Sequence, residues 1–312
     1  MFFNQRGKTT INNSIMKKSI KIIIVLIISM SISTASSFGT GNYQNEFETK
    51  NPSPIHIETI GEGKPILYLP GFTVPGSIWK ETIKNLDLSR KSYLVSYAGF
   101  NGHAPIDMPW YDSIKKAIID YVRENNLSEV LIVGHSMGGN LAVDIAAELP
   151  NSVSKIVIVD ALPCMRELMM PNVPAESLQY ESPYNMQILE MNDDQFKEMA
   201  VMMAANMTFN SEKTDSLSKW IEEADRKTWA YGYTDLLKLD LRDTLSKIKC
   251  ETLIVGASFP SKEIAENNFE KQYKNLPNKV IKMASNSKHF IMFDQPQWFY
   301  NTLNNFLANE SN

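Results

Sequence analysis

Four apolar residues, Val130–Val133, run directly into Gly134-His135-Ser136-Met137-Gly138-Gly139, and a helical pattern from Met137 to Leu149, closed by Pro150, follows. A strand that enters a helix through so short a turn holds the serine on strained backbone. Only small residues fit two positions before and two after it. Gly134, Gly138 and Gly139 meet that demand. The turn lifts the serine hydroxyl to the carboxyl edge of a sheet, beside a helix N-terminus that favours developing negative charge. G-x-S-x-G alone is a common pattern, but here the strand before it and the helix after it are both present.

The surrounding chain repeats the strand-then-helix alternation. H-I-E-T-I, G-E-G-K and P-I-L-Y-L-P read as two strands around a tight turn, and Y-L-V-S-Y-A as a third. Trp110–Asn125 has helical spacing through Ile114, Ala117, Ile118 and Tyr121. K-I-V-I-V-D, T-L-I-V-G and K-V-I-K-M-A are further short strands. Their β-branched runs lack clean alternation, as central parallel strands covered on both faces do. An α/β sheet is therefore expected. From residue 162 to about 245 no strand-like run occurs, and methionine-rich stretches such as F-K-E-M-A-V-M-M-A-A-N-M read as helix. This is expected to be a helical cap inserted between core segments 55–161 and 246–312. Its methionines pack a helical core, or line an adaptable apolar pocket, or both.

Composition narrows the function. A 43% apolar content over 312 residues is enough to bury a core, which excludes a disordered chain. Basic and acidic residues number 31 and 35, and no basic stripe is present, so nucleic acid is not an expected partner. Lys17, Lys18 and Lys21 precede the run Ile22–Ile28 and a small-residue stretch ending near Ala35. Residues 1–35 thus read as a secretory signal peptide, with Met16 as an alternative start, followed by a polar linker over 36–54. The run is shorter than the roughly 18–20 residues that span a bilayer, so no stable membrane anchor is expected after cleavage. Loss of Arg6, Lys8, Lys17, Lys18 and Lys21 takes the net charge from −4 to −9. Export to the periplasm or medium is the expectation. Cys164 and Cys250 form no disulfide framework, and the four histidines are scattered, so no metal site and no cofactor are expected.

On the serine elbow and these alternating elements the chain resembles an α/β-hydrolase with a helical cap, from Ile55 to Leu307. The resemblance implies an eight-stranded, mostly parallel sheet with helices on both faces, a nucleophile after the fifth strand and a histidine after the last. Ser136 matches the nucleophile. His289, in N-S-K-H-F-I-M-F-D-Q-P, matches the histidine and would act as general base. His135 packs beside the nucleophile, His103 matches a structural turn, and His56 gives no functional hint. The oxyanion hole would be the amides of Met137 and Phe72. Phe72 lies in L-P-G-F-T, where relatives usually carry His-Gly and this chain has Pro70-Gly71.

The third member of the triad is where the chain departs from the pattern. After T-L-I-V-G, where relatives place an aspartate, stand Ser258, Phe259 and Pro260. Asp160, ending the neighbouring strand, is the leading replacement, since a carboxylate closing an apolar run is costly to bury unpaired. Glu263 is the alternative, Asp294 a more distant one, and a chain without the acid remains open. The expected activity is hydrolysis of a small, lipophilic carboxylic ester or lactone through an acyl-enzyme. Thioester or C–C cleavage would use the same parts. The rival from another class is a weakly catalytic binding or sensor protein, favoured by the missing acid.

Overall fold

The computed structural model describes residues 52–308, so segment 1–35, expected to be a signal peptide, and most of the expected linker lie outside the described residues. Seven strands form one sheet: β1 (Ile55–Ile60), β2 (Pro65–Leu69), β3 (Lys91–Tyr97), β4 (Val130–His135), β5 (Val153–Val159), β6 (Glu251–Ala257) and β7 (Lys279–Ala284). Their order is β1-β3-β2-β4-β5-β6-β7, with β1 antiparallel to β3 and all other pairs parallel. The described residues thus hold seven strands against the eight expected. β1 and β2 do flank a tight turn and run antiparallel, but β3 lies between them, paired antiparallel to β1 and parallel to β2.

All six residues of β4 are buried, and in β5 and β6 only one position each is exposed. Both faces of these strands are covered, which is why their sequences do not alternate. One face packs against the helices Trp110–Glu124 and Met137–Glu148, through Ile114, Ile118, Leu141 and Ile145 among others. The other packs against Trp79 and the helix Pro296–Ala308. That last helix begins with proline at its first turn and buries Phe299, Leu303 and Leu307, one residue per turn on a single stripe. Each such side chain contributes about 1.5–3 kcal/mol by leaving water.

Between β5 and β6 the chain is helical, with no strand: Met165–Met169, Pro183–Glu190, Asp193–Met207, Ser211–Glu222 and Arg226–Lys238. Local sequence sets their starts. Ser182, Asn192, Asn210 and Asp225 each accept a backbone amide of the first turn, and Asn192 with Gln195 completes a reciprocal capping pair. One residue of this segment also caps a core helix. The buried Asp235 accepts the amides of Trp110 (2.8 Å) and Tyr111 (3.2 Å), and its second oxygen accepts the Tyr180 hydroxyl at 2.5 Å. Pro109 offers no side-chain cap, so the carboxylate that accepts the first two amides of that helix comes from 125 residues away, beside the helix's own first-turn Asp112.

Candidate active site

Strand register assembles the site. In the sheet His135 pairs with Val159, and Val159 with Val255, so the residues that follow β4, β5 and β6 emerge side by side at the carboxyl edge. Ser136 and Asp160 each bond to the adjacent strand: Ser136 N–H to Val159 O at 2.8 Å, Asp160 N–H to Val255 O at 2.7 Å. Leu69 pairs with Gly134, which brings the Pro70–Thr73 loop to the same edge.

Ser136 has φ 54° and ψ −123°, the strained conformation that the turn requires. A Cβ at Gly134 would fall on the carbonyl oxygen of Gly138, and one at Gly138 on that of Leu69. The glycines are therefore fixed by backbone packed against backbone, not by flexibility. The Met137 amide heads the following helix, and Phe72 follows Gly71 in the loop after β2. Neither amide has a protein acceptor among the described residues, and both residues line the same cavity as Ser136. The Phe72 ring lies edge-on to Phe100 and Trp110 and against Trp229 and Tyr233, which anchors the loop that carries its amide.

His289 lies against Asp160. Nδ1 lies 2.6 Å from Oδ2 of Asp160, and Oδ1 of the same carboxylate accepts the Ala257 amide at 2.8 Å. A carboxylate accepts and does not donate, so Nδ1 carries the hydrogen and Nε2 is left with the lone pair. Asp160 is held in a left-handed conformation, φ 46°, with its side chain 16% exposed. Glu263 is not brought to this site. It is exposed in the first turn of the helix Lys262–Gln272, where its charge favours the helix N-terminus. The binding-protein rival drew its support from a histidine without an acid, and the Asp160 contact removes that support.

His135 does what its position in the turn suggested: it packs. It is fully buried, and its Nε2–H donates to the carbonyl oxygen of His289 at 3.0 Å. Nδ1 is buried without a partner, against Gly71, where a Cβ would sit 3.0 Å away. Burial first, then the neighbouring His289, holds this imidazole well below the ordinary histidine range, so it stays neutral. His56 and His103 stack on each other 3.6 Å apart and line no part of the cavity.

The cavity over Ser136 measures about 150 Å³. Besides Ser136 and His289 its wall includes Met165, Met203, Met207, Ile221, Trp229 and Tyr233, and no Asp, Glu, Lys or Arg. Burial pushes the Tyr233 phenol well up, so it remains protonated, and its hydroxyl meets the Met169 sulfur at 3.6 Å. Both readings of the methionines hold at once: Met203 and Met207 line the cavity and also pack against the core, as Met199 does. Among the described residues no cluster of His, Cys, Asp or Glu could hold a metal ion, Cys164 and Cys250 are both free, and no helix is long and apolar enough to cross a membrane.

The model of the Alpha/beta hydrolase family matches residues 66–302. The chain belongs to the alpha/beta hydrolase family. The hydrolase is 22% identical over 280 residues to the AB hydrolase superfamily protein YisY of Bacillus subtilis, covering 85% of this chain and 98% of that one. It is 27% identical over 201 residues to a pimeloyl-[acyl-carrier protein] methyl ester esterase of Shewanella woodyi, covering 63% and 76%. Its fold is similar to an esterase structure from Exiguobacterium antarcticum, with a TM-score of 0.67 at 18% identity over 82% of this chain and 96% of that one.

The sequence names two further residues of this site but not the bonds they make. The carbonyl of His289 is gripped by His135, 154 positions away, and no local signal foretells that bond. Asp294, the more distant alternative for the acid, is bonded instead to the amide of Lys288 beside the histidine.

Proposed function

We propose that this protein is a serine hydrolase that cleaves an uncharged, lipophilic carboxylic ester or lactone through an acyl-enzyme on Ser136. The observation that carries the reading is the 2.6 Å contact between Asp160 and His289, which lines the same cavity as Ser136. Nε2 of His289 takes the Ser136 proton as Oγ attacks the carbonyl carbon. The amides of Met137 and Phe72 meet the oxygen that becomes negative. As the ester C–O bond breaks, His289 gives the proton to the leaving alcohol. Water, deprotonated by His289, then releases the acid and restores the serine. The absence of charged groups from the cavity wall supports a neutral acyl group, since a carboxylate or ammonium would be stranded there. Family membership and the similarity to a methyl ester esterase support ester chemistry.

The test is labelling of the protein with a fluorophosphonate, which reports an activated serine without a chosen substrate. Wild type should label quickly, Ser136→Ala not at all, and Glu263→Gln like wild type. Asp160→Asn should slow labelling by about 10⁴, as the same change does in a serine protease triad. Folded wild type that fails to label would overturn the reading. We also propose that the chain is exported, on the strength of the basic, apolar and small-residue succession ending near Ala35. N-terminal sequencing of the exported protein should begin near residue 36, and full-length protein retained in the cytoplasm would count against export.

A further inference from the structure

Asp294 faces two ways. Its Oδ1 accepts three hydrogens from the turn between the helices Asp193–Met207 and Ser211–Glu222: the Thr208 hydroxyl at 2.5 Å, the Phe209 amide at 2.8 Å and the Asn210 amide at 3.2 Å. Its Oδ2 accepts the amide of Lys288 at 2.8 Å, the residue immediately before His289. The residue immediately after His289 is tied to the same turn, Phe290 N–H donating to Met207 O at 3.0 Å. The Lys288 ammonium donates to Ala205 O at 2.8 Å and lies 4.7 Å from the centre of the Phe209 ring. Phe209 in turn meets Phe259 edge-on, the residue that occupies the loop where an aspartate was expected.

His289 is thus held from two directions. The core grips it directly, through Asp160 at Nδ1 and His135 at the carbonyl oxygen. The helical segment grips both of its chain neighbours, and the carboxylate of Asp294 is the group common to segment and loop. The two helices joined by that turn also build the cavity, through Met203 and Met207 on one and Ile221 on the other. Any displacement of these helices that opens the cavity pulls on the backbone on either side of the histidine.

We propose that Asp294 is a positioning residue that makes the seating of the helical segment a condition for His289 to stand in its working place. The hydrolase couples an occupied, closed cavity to a competent base: beside the direct ties made by Lys288 and Phe290, turn and loop are joined by the Asp294 carboxylate. An amide cannot replace it. With its oxygen toward the three donors of the turn, the Asn nitrogen would face the Lys288 amide, donor against donor. The inference rests on His289 being the general base.

Two near-isosteric variants separate the sides of the contact. Asp294→Asn keeps an acceptor for the turn and loses the Lys288 bond. Thr208→Val removes the hydroxyl that the helical segment donates to Asp294 and keeps the Lys288 bond. Hydrogen exchange followed by mass spectrometry reads the loop without chemistry, and fluorophosphonate labelling at saturating probe reads the limiting rate. Asp294→Asn should lower that limiting rate about tenfold, the effect of losing one hydrogen bond to a charged group, and raise exchange in residues 286–292 by a similar factor. Thr208→Val, which leaves the Thr208 carbonyl and its contact with the Lys288 ammonium in place, should also speed exchange in 286–292. Exchange that rises only in 205–212, with limiting rates of both variants within about twofold of wild type, would overturn the proposal and leave Asp294 a segment anchor. If wild type itself does not label, the serine-hydrolase reading falls, and the exchange arm still decides whether segment and loop move together.

Discussion

At the scale of single residues, His135 carries the clearest pH signature. Its imidazole is held well below the ordinary value by burial and by His289, so the unfolded chain takes up a proton where the folded one does not. The contribution to stability is fully present above the unfolded value of about 6.5 and is lost as pH falls below it, by up to about 1.4 kcal/mol per pH unit. Urea unfolding between pH 7.5 and 5.5 should show this decline, and His135→Gln should flatten it. The decline should not vanish, because His103 is lowered too, by burial and then by His56. An unchanged slope in His135→Gln would show that the imidazole titrates freely. At this scale the sequence was partly readable. Ser136 and His289 sit in short local patterns, whereas Asp160 is fixed by partners 97 and 129 positions away and could only be ranked ahead of Glu263. Glu263 was entertained because it follows the expected strand, but that stretch folds as an ordinary exposed helix capped by Ser261.

At the scale of elements, the elbow between β4 and its helix is set by contacts of backbone on backbone. A methyl group at Gly138 would land on the Leu69 carbonyl at the end of β2, which neighbouring strands hold on both sides. Gly138→Ala should therefore cost more than about 4 kcal/mol or prevent folding altogether, read as soluble yield and denaturation midpoint. A stable Gly138→Ala protein would mean that the loop after β2 yields. The pattern of small residues was legible because it lies within six positions of sequence. That β3 slips between β1 and β2 was not, since pairing partners in a sheet are chosen by burial of both faces and not by adjacency in the chain.

At the scale of the whole molecule, the helical segment and the sheet enclose a cavity of about 150 Å³, the size that holds a benzene-sized apolar guest. The hydrolase should prefer short acyl chains in a series of p-nitrophenyl esters. Met203→Ala should move the optimum to longer chains, with kcat/KM for the long ester rising relative to the short one by roughly tenfold, the weight of one to two methylenes in an apolar pocket. An unchanged chain-length profile would place the acyl group elsewhere. The segment's helical nature was visible in the sequence, but which methionines face the cavity depends on how five helices pack, and that has no short-range signature. The sheet and the helical segment lie within one compact unit, Thr49–Asn312. Asp235 sharpens what that unity means for anyone who would rebuild the protein. The segment looks like an interchangeable cassette, yet it supplies the carboxylate that terminates a core helix at Trp110 and Tyr111. A chimera carrying a foreign segment would leave the amides of Trp110 and Tyr111 without that acceptor unless the donor brings an acid to the same point, so grafting here is a two-site design problem.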